Sequence, residues 1–237
     1  MKRFYKTVTA EKADDGWRVL LDGRPIKTAG GRPQVVPTQA LAEAMAAEWA
    51  AQGEEIDPAL FHLRDLADFA IDAVVPNRDQ VIGDVLPYAE TDTLCYRADP
   101  DEPLYARQEE VWEPLVAGFE ERLDVRFTRV SGIVHRPQPE ATLARLREEL
   151  ETHDAFALAA LRMLASLAAS LTIALEAIRP GADAEALWKA AELEADWQAE
   201  LWGEDWEAAE RRAARFEAFT LAIRMAALSR TESTGAA

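Results

Sequence analysis

The hydrophobic period changes from strand-like to helical near residue 37, and that change restricts the fold more than any other feature. Up to residue 36 the sequence reads as strand and turn. Arg3 to Ala10 alternates weakly, Trp17 to Leu21 is rich in strand formers, and Asp22-Gly23 supplies the positive-φ chemistry of a hairpin leading to Pro25 to Thr28. Gly30-Gly31 forms a second turn before Gln34 to Val36, so a sheet of three or four strands is expected. From Pro37 onward apolar residues recur at helical spacing.

The first helix is expected to start at Thr38 as N-cap and to stop at Gly53, with Leu41, Met45 and Trp49 forming a core stripe every four residues. A second opens at Asp57-Pro58 and runs to about Val75. After Pro76 helices are expected at about 77–90, 102–122, 138–152, 154–178, 183–202 and 205–229, with one extended piece at Val125 to Val130. Gly181, Gly203 and the Pro137/Pro139 pair mark breaks. The pattern predicts an α+β protein: a small N-terminal β-sheet domain with helices over 1–76, a mainly α-helical domain over 77–230, and a frayed tail over 231–237.

The net charge of -17 opposes nucleic-acid binding, which rewards clustered Lys and Arg, and equally opposes an anionic membrane surface. The charge is also uneven. Residues 1–36 carry 8 Lys/Arg against 4 Asp/Glu, whereas residues 182–210 carry 10 Asp/Glu against Lys189 alone. An acidic face of that density steers basic partners and keeps an aggregation-prone client in solution, although solubility alone would also account for it.

The single cysteine, Cys95, excludes an internal disulfide and reads as a small packing residue. The start of the chain lacks an apolar signal core, and its longest apolar candidate, residues 155–178, is interrupted by Arg162 and Glu176. A cytoplasmic bacterial protein with no signal or transit peptide and no membrane insertion is therefore expected.

Within residues 184–202 a helical wheel places Leu187, Trp188, Ala190, Ala191, Ala195, Trp197, Leu201 and Trp202 on one broad arc. Glu194 and Gln198 fall near its middle, while Glu185, Lys189, Glu192, Asp196 and Glu200 take the opposite, solvated side. A carboxylate amid tryptophans must be hydrogen-bonded, paired, or left open for a partner. A Glu194-to-Gln198 contact completing a buried network and a docking face for another protein both satisfy that requirement.

Support for catalysis is thin. His62, His135 and His153 form no metal-ligand pair, and no G-x-S-x-G, P-loop or G-x-G-x-x-G element occurs. No cofactor, metal or small-molecule substrate is implied. Glu194 is the one carboxylate whose setting would raise its pKa, which leaves an enzyme using it as general acid or base, or a purely structural scaffold, as the alternatives to docking.

Six segments in order carry a resemblance: FY at 4–5, LDGRPIKT at 21–28, LAEAMAAEW at 41–49, TDTLCYRA at 91–98, RQEEVWEPL at 107–115 and LEADWQAELWGED at 193–205. Together they resemble the ATP synthase assembly chaperone family that binds the α subunit of the F₁ catalytic sector, over nearly the whole chain. The resemblance implies a small amino-terminal α+β domain followed by an orthogonal helical bundle, no catalytic centre, and a role in holding free α subunit until β subunits arrive. It places the family's functional acidic residue on Glu194, with Asp196 and Gln198 completing the element, and Trp197 and Trp202 beside them as partner-binding candidates. Trp49, which ends the A-E-W element, is implied to matter for integrity. Ala29 and Gly30 depart from the proline that often follows KT, and Thr172 and Glu176 make the long apolar helix less uniform.

Overall fold

A computed structural model describes residues 1–132, 135–203 and 205–231. Two compact units emerge. The first comprises Met1–Arg78, Asp154–Ala160 and the segment from Arg224; the second comprises Asp79–His153 and Leu161–Ile223.

In the first unit, β1 (Val8–Ala13), β2 (Gly16–Leu21) and β3 (Arg24–Pro25) form an antiparallel sheet in the order β1-β2-β3. The register runs from Val8 opposite Leu21 to Ala13 opposite Gly16, leaving Asp14-Asp15 as a two-residue turn that sequence reading did not single out. The Asp22-Gly23 turn was expected. Both residues take positive φ, 49° and 76°, and Leu21 pairs with Arg24 across it. Asp22 also accepts from the backbone N–H groups of Lys6 (3.0 Å) and Thr7 (2.8 Å), which hold its carboxyl below the usual range and tie the entering chain to the turn.

The expected strand at Gln34 to Val36 reduces to a bridge in which Trp17 and Val36 exchange two backbone bonds of 2.8 Å. Gly16 makes that approach possible, because a Cβ there would strike the Val36 carbonyl oxygen and its φ of 151° suits glycine.

α1 (Gln39–Ala50) starts as predicted, with Thr38 Oγ1 accepting from the Leu41 N–H at 3.1 Å. Leu41, Ala42 and Met45 are fully buried and pack the helix onto the sheet. Trp49 closes the stripe between Phe61 and Tyr5, whose hydroxyl donates to the Trp49 carbonyl at 2.6 Å. The second helix does not stop at Val75. α2 (His62–Phe69) passes through a wide turn at Ala70–Val74 and a tight one at Val75–Asn77 into α3 (Arg78–Val85), so Pro76 is absorbed where widening and tightening of the helix relieve its missing donor.

The second unit continues with α4 (Pro87–Glu90), β4 (Tyr96–Arg97), α5 (Pro103–Leu123), β5 (Val130–Ser131) and α6 (Glu140–Glu151). It is completed by most of α7 (Ala155–Ala168), then α8 (Leu171–Ala177), α9 (Ala184–Ala191), α10 (Leu193–Trp202) and most of α11 (Trp206–Ser229). α5 presents Trp112, Val116, Phe119 and Leu123 to the core at helical spacing. The expected extended piece is β5, which pairs in parallel with β4.

Besides the expected helix at 77–90, which parts at Leu86 into α3 and α4, two expected helices are each split. Ala169, at φ 48°, ends α7, and Ser170 caps α8 by accepting from the Ile173 N–H at 3.0 Å. Fully buried Asp92 anchors this break, accepting from the N–H groups of Leu94 (3.1 Å) and Thr172 (2.9 Å); burial pushes its carboxyl pKa up. The second split, at Glu192, reshapes the region singled out by the wheel. Cys95 is buried, with its thiol pushed above the ordinary range by desolvation. Among the described residues no helix is long and apolar enough to cross a membrane. The architecture is α+β, and most of the expected tail, 232–237, lies outside the described residues.

Candidate functional site: the α9–α10 break and its neighbours

Glu192 leaves helical geometry at φ -96° and ψ 8°, so α10 begins with a new phase and one wheel drawn over 184–202 does not describe the surface. Leu187, Trp188 and Ala190 of α9 are buried as expected. Trp188 stacks obliquely on Phe216 and Phe219 of α11. Beyond the break, α10 buries only Leu193.

The break inverts the fate of the carboxylates. Glu192, expected on the solvated side, is 7% exposed and pairs with Arg212 Nε at 3.3 Å and Arg215 Nη1 at 3.1 Å. Asp196, expected beside it in solvent, also pairs with Arg212. Two arginines one turn apart on α11 thus brace the kink from outside the helix.

Glu194 instead faces α5. Gln108 Nε2 donates to its Oε1 at 2.8 Å, while the Gln108 Oε1 accepts from the Ala98 N–H at 2.8 Å, which fixes the end of the amide turned toward the carboxylate. Gln108 is fully buried, whereas Glu194 as a residue is exposed, with its carboxyl turned toward α5. Enough protein surrounds the carboxyl for desolvation to raise its pKa, against the lowering effect of Gln108. Gln198 is not its partner. The same flank of α10 is fastened by Arg107, which forks onto Glu200 at 2.6 and 2.9 Å and lies 5.6 Å from the Trp197 ring centroid.

Glu194 borders an open cavity of about 400 Å³ whose other walls are Thr91, Thr93, Tyr96 and His135. The Tyr96 hydroxyl and His135 Nδ1 lie 2.7 Å apart. Gln198 and Trp202 belong to a different recess of about 280 Å³, shared with Gly203 and with Ala208 and Arg212 of α11. The five partner-binding candidates therefore occupy three settings: Glu194 and Trp197 toward α5, Asp196 toward α11, and Gln198 and Trp202 at the open end of α10.

That open end is the most exposed apolar surface of the unit. Leu201, Trp202 and Trp206 are 56%, 76% and 69% exposed, within sequence dominated by Glu200, Asp205, Glu207 and Glu210. Sequence reading missed Gln108 and Glu192, since both depend on helices distant along the chain. Trp206 was legible as an aromatic after Gly203 but fell outside the wheel. Among the described residues no cluster of three or more metal-ligating side chains occurs.

Comparison with known proteins gives concordant results. The family model described as ATP12 chaperone protein matches residues 2–120. Mitochondrial protein atp12 of Schizosaccharomyces pombe is 27% identical over 185 residues, covering 73% of this chain and 63% of that protein, less than two-thirds of its length. Atp12 from Paracoccus denitrificans is 38% identical with a TM-score of 0.92, covering 97% of this chain and 98% of that one. The Atu1473 protein from Agrobacterium tumefaciens is 37% identical with a TM-score of 0.92, covering 97% and 86% respectively. The family model ends before α10, whereas the structural matches extend over nearly the whole chain.

Proposed function

Because the chain belongs to the ATP12 chaperone family, one of chaperones and not of enzymes, we propose that it assists assembly of proton-transporting ATP synthase by binding the free α subunit of the F₁ sector. It would shield the surface that later meets β subunits. The observation that carries this reading is the pairing, on α10 and at the start of α11, of a partly desolvated carboxylate with an open aromatic end. Glu194 stands ready for a cation or amide from the client, and Leu201, Trp202 and Trp206 offer apolar area to cover its exposed side chains.

The acidic rim favours a basic client surface and disfavours self-association of the exposed indoles. A patch of about 800 Å² per partner is enough for specific capture. The bound state must still yield to β subunits, and a carboxylate that is held by a neutral amide and gains a cation only on binding makes such exchange possible without a covalent or nucleotide-driven step. Relatives from Paracoccus and Agrobacterium support a bacterial cytoplasmic setting.

The test is co-purification of the α subunit from the native host with tagged chain, compared with Glu194→Gln. Reduced capture by a normally folded variant is expected, followed by release of α from the unmodified chain when β subunits are added. Undiminished capture by Glu194→Gln would remove Glu194 from the contact, and no capture by the unmodified chain would overturn the reading as a whole.

A further inference from the structure

The first unit holds a cavity of about 640 Å³ that the α10 surface does not use. Its walls combine Phe4 and Tyr5 from the entering chain, Leu21 to Ala29 around the second hairpin except Gly23, and Trp49, Arg64 and Asp68 from the helices. Three properties distinguish it from an incidental recess. Phe4 is 64% exposed at the mouth although the same ring edge-packs on Tyr5, at 5.3 Å between centroids. Trp49, 8% exposed, has an indole N–H without an acceptor. Such a donor is ordinarily satisfied, by protein or by something bound.

The third property is charge. Arg24 and Lys27 line the cavity and engage no carboxylate among the described residues, in a chain of net charge -17. The two wall carboxylates are already engaged: Asp22 by the N–H groups of Lys6 and Thr7, and Asp68 by the Ala29 N–H at 3.0 Å and by Gln34. Arg64 lies over the Phe61 ring at 4.2 Å and forks onto Asp65, holding a third cation at the wall. Among the described residues the wall thus carries three cations against two carboxylates, and the carboxylate oxygens are already taken up by N–H donors, whereas Arg24 and Lys27 have no carboxylate partner; aromatic and aliphatic side chains make up much of the rest.

We propose that this cavity is a docking site for an acidic, extended segment of a partner protein carrying a bulky apolar anchor residue. The anchor enters between Phe4, Tyr5, Pro25 and Trp49, and flanking carboxylates meet Arg24 and Lys27. The volume lies within the range of pockets that enclose a ligand of this size, and the charge pattern selects against basic segments by like-charge contact. This site is independent of the α10 surface, and its polarity is the reverse: one attracts basic surface, the other acidic.

The probe is a fluorescein-labelled peptide, acetyl-Asp-Glu-Phe-Leu-Asp-Glu-amide, titrated with the full chain by fluorescence anisotropy. The comparisons are a peptide with lysines replacing the acids, an acidic peptide with glycine and serine replacing Phe-Leu, and inorganic phosphate as competitor. The acidic apolar peptide is expected to bind at least tenfold more tightly than either control and to weaken with salt. The double charge reversal Arg24→Glu/Lys27→Glu, at exposed positions and with an unchanged melting temperature, is expected to lose at least fivefold. Phe4→Ser is expected to weaken the peptide while leaving its salt dependence intact.

Equal binding of the acidic and basic peptides, undiminished binding by both variants, full competition by phosphate alone, or no peptide binding would each overturn the proposal. Capture of α subunit through Glu194 is read separately, so loss of one result does not imply loss of the other.

Discussion

Gln108 donates to Glu194 across 2.8 Å, from a fully buried amide whose other end is held by the Ala98 N–H. The pairing places a carboxylate where desolvation raises its pKa, and the sign of the consequence follows. A carboxyl whose pKa is raised on folding contributes stability that is present below the unfolded-state pKa and is lost as pH rises through the folded-state value. Glu194→Gln keeps an acceptor for Gln108 but removes the charge. Urea midpoints of the two proteins should coincide below the ordinary glutamate range, and the variant should be slightly more stable at neutral pH. An equal or lower neutral-pH midpoint for the variant would contradict this setting for Glu194.

Asp92 makes the corresponding case for a fully enclosed carboxylate. Its oxygens satisfy the Leu94 and Thr172 N–H groups at the break between α7 and α8. Asp92→Ala leaves two buried donors without partners, at about 1–3 kcal/mol each, and should lower the urea midpoint accordingly. A loss under about 1 kcal/mol would mean that water or a shifted backbone replaces those bonds.

Gly16→Ala tests the close approach of β2 to Val36. The added Cβ meets the Val36 carbonyl oxygen and the backbone takes a φ that L-residues rarely adopt. A destabilisation of about 1–3 kcal/mol is expected. Hydrogen exchange should show faster turnover at the Trp17 and Val36 amides before any change in the second unit.

Trp202→Ala combined with Trp206→Ala should change thermal stability by about 0.5 kcal/mol or less, because both rings stand largely in solvent. The same variant should capture markedly less α subunit in the pull-down. A large stability loss with intact capture would assign the rings to the fold and not to the client.

Local chemistry made much of the fold legible. Asp22-Gly23 demanded a turn with positive φ, Thr38 announced a cap, and the spacing of Leu41, Met45 and Trp49 placed the buried stripe of α1 correctly. Two of the misses have a common cause. Ser170 and Glu192 interrupt helices with no glycine or proline at the break, and each interruption is held by distant groups: Asp92 for one, Arg212 and Arg215 for the other. Periodicity carries no information about such partners. Once the phase resets at Glu192, Glu192 and Asp196 move from the solvent side to the arginines, and Gln108, invisible to any wheel of residues 184–202, becomes the neighbour of Glu194. Trp197 was legible as amphipathic, but its association with Arg107 required α5.

The contrast between closed and open indoles also gives the molecule an optical signature. Trp112 is sealed, with its N–H on the Ala190 carbonyl at 2.8 Å, and Trp49 and Trp188 are nearly so, whereas Trp202 and Trp206 are bathed in water. Native emission is therefore a composite with a blue component from the interior and a red shoulder to which Trp202 at the end of α10 and Trp206 at the start of α11 contribute most. A client settling there would shrink the shoulder and leave the interior component in place, so occupancy is visible in the unlabelled protein as a change of colour without any change of fold.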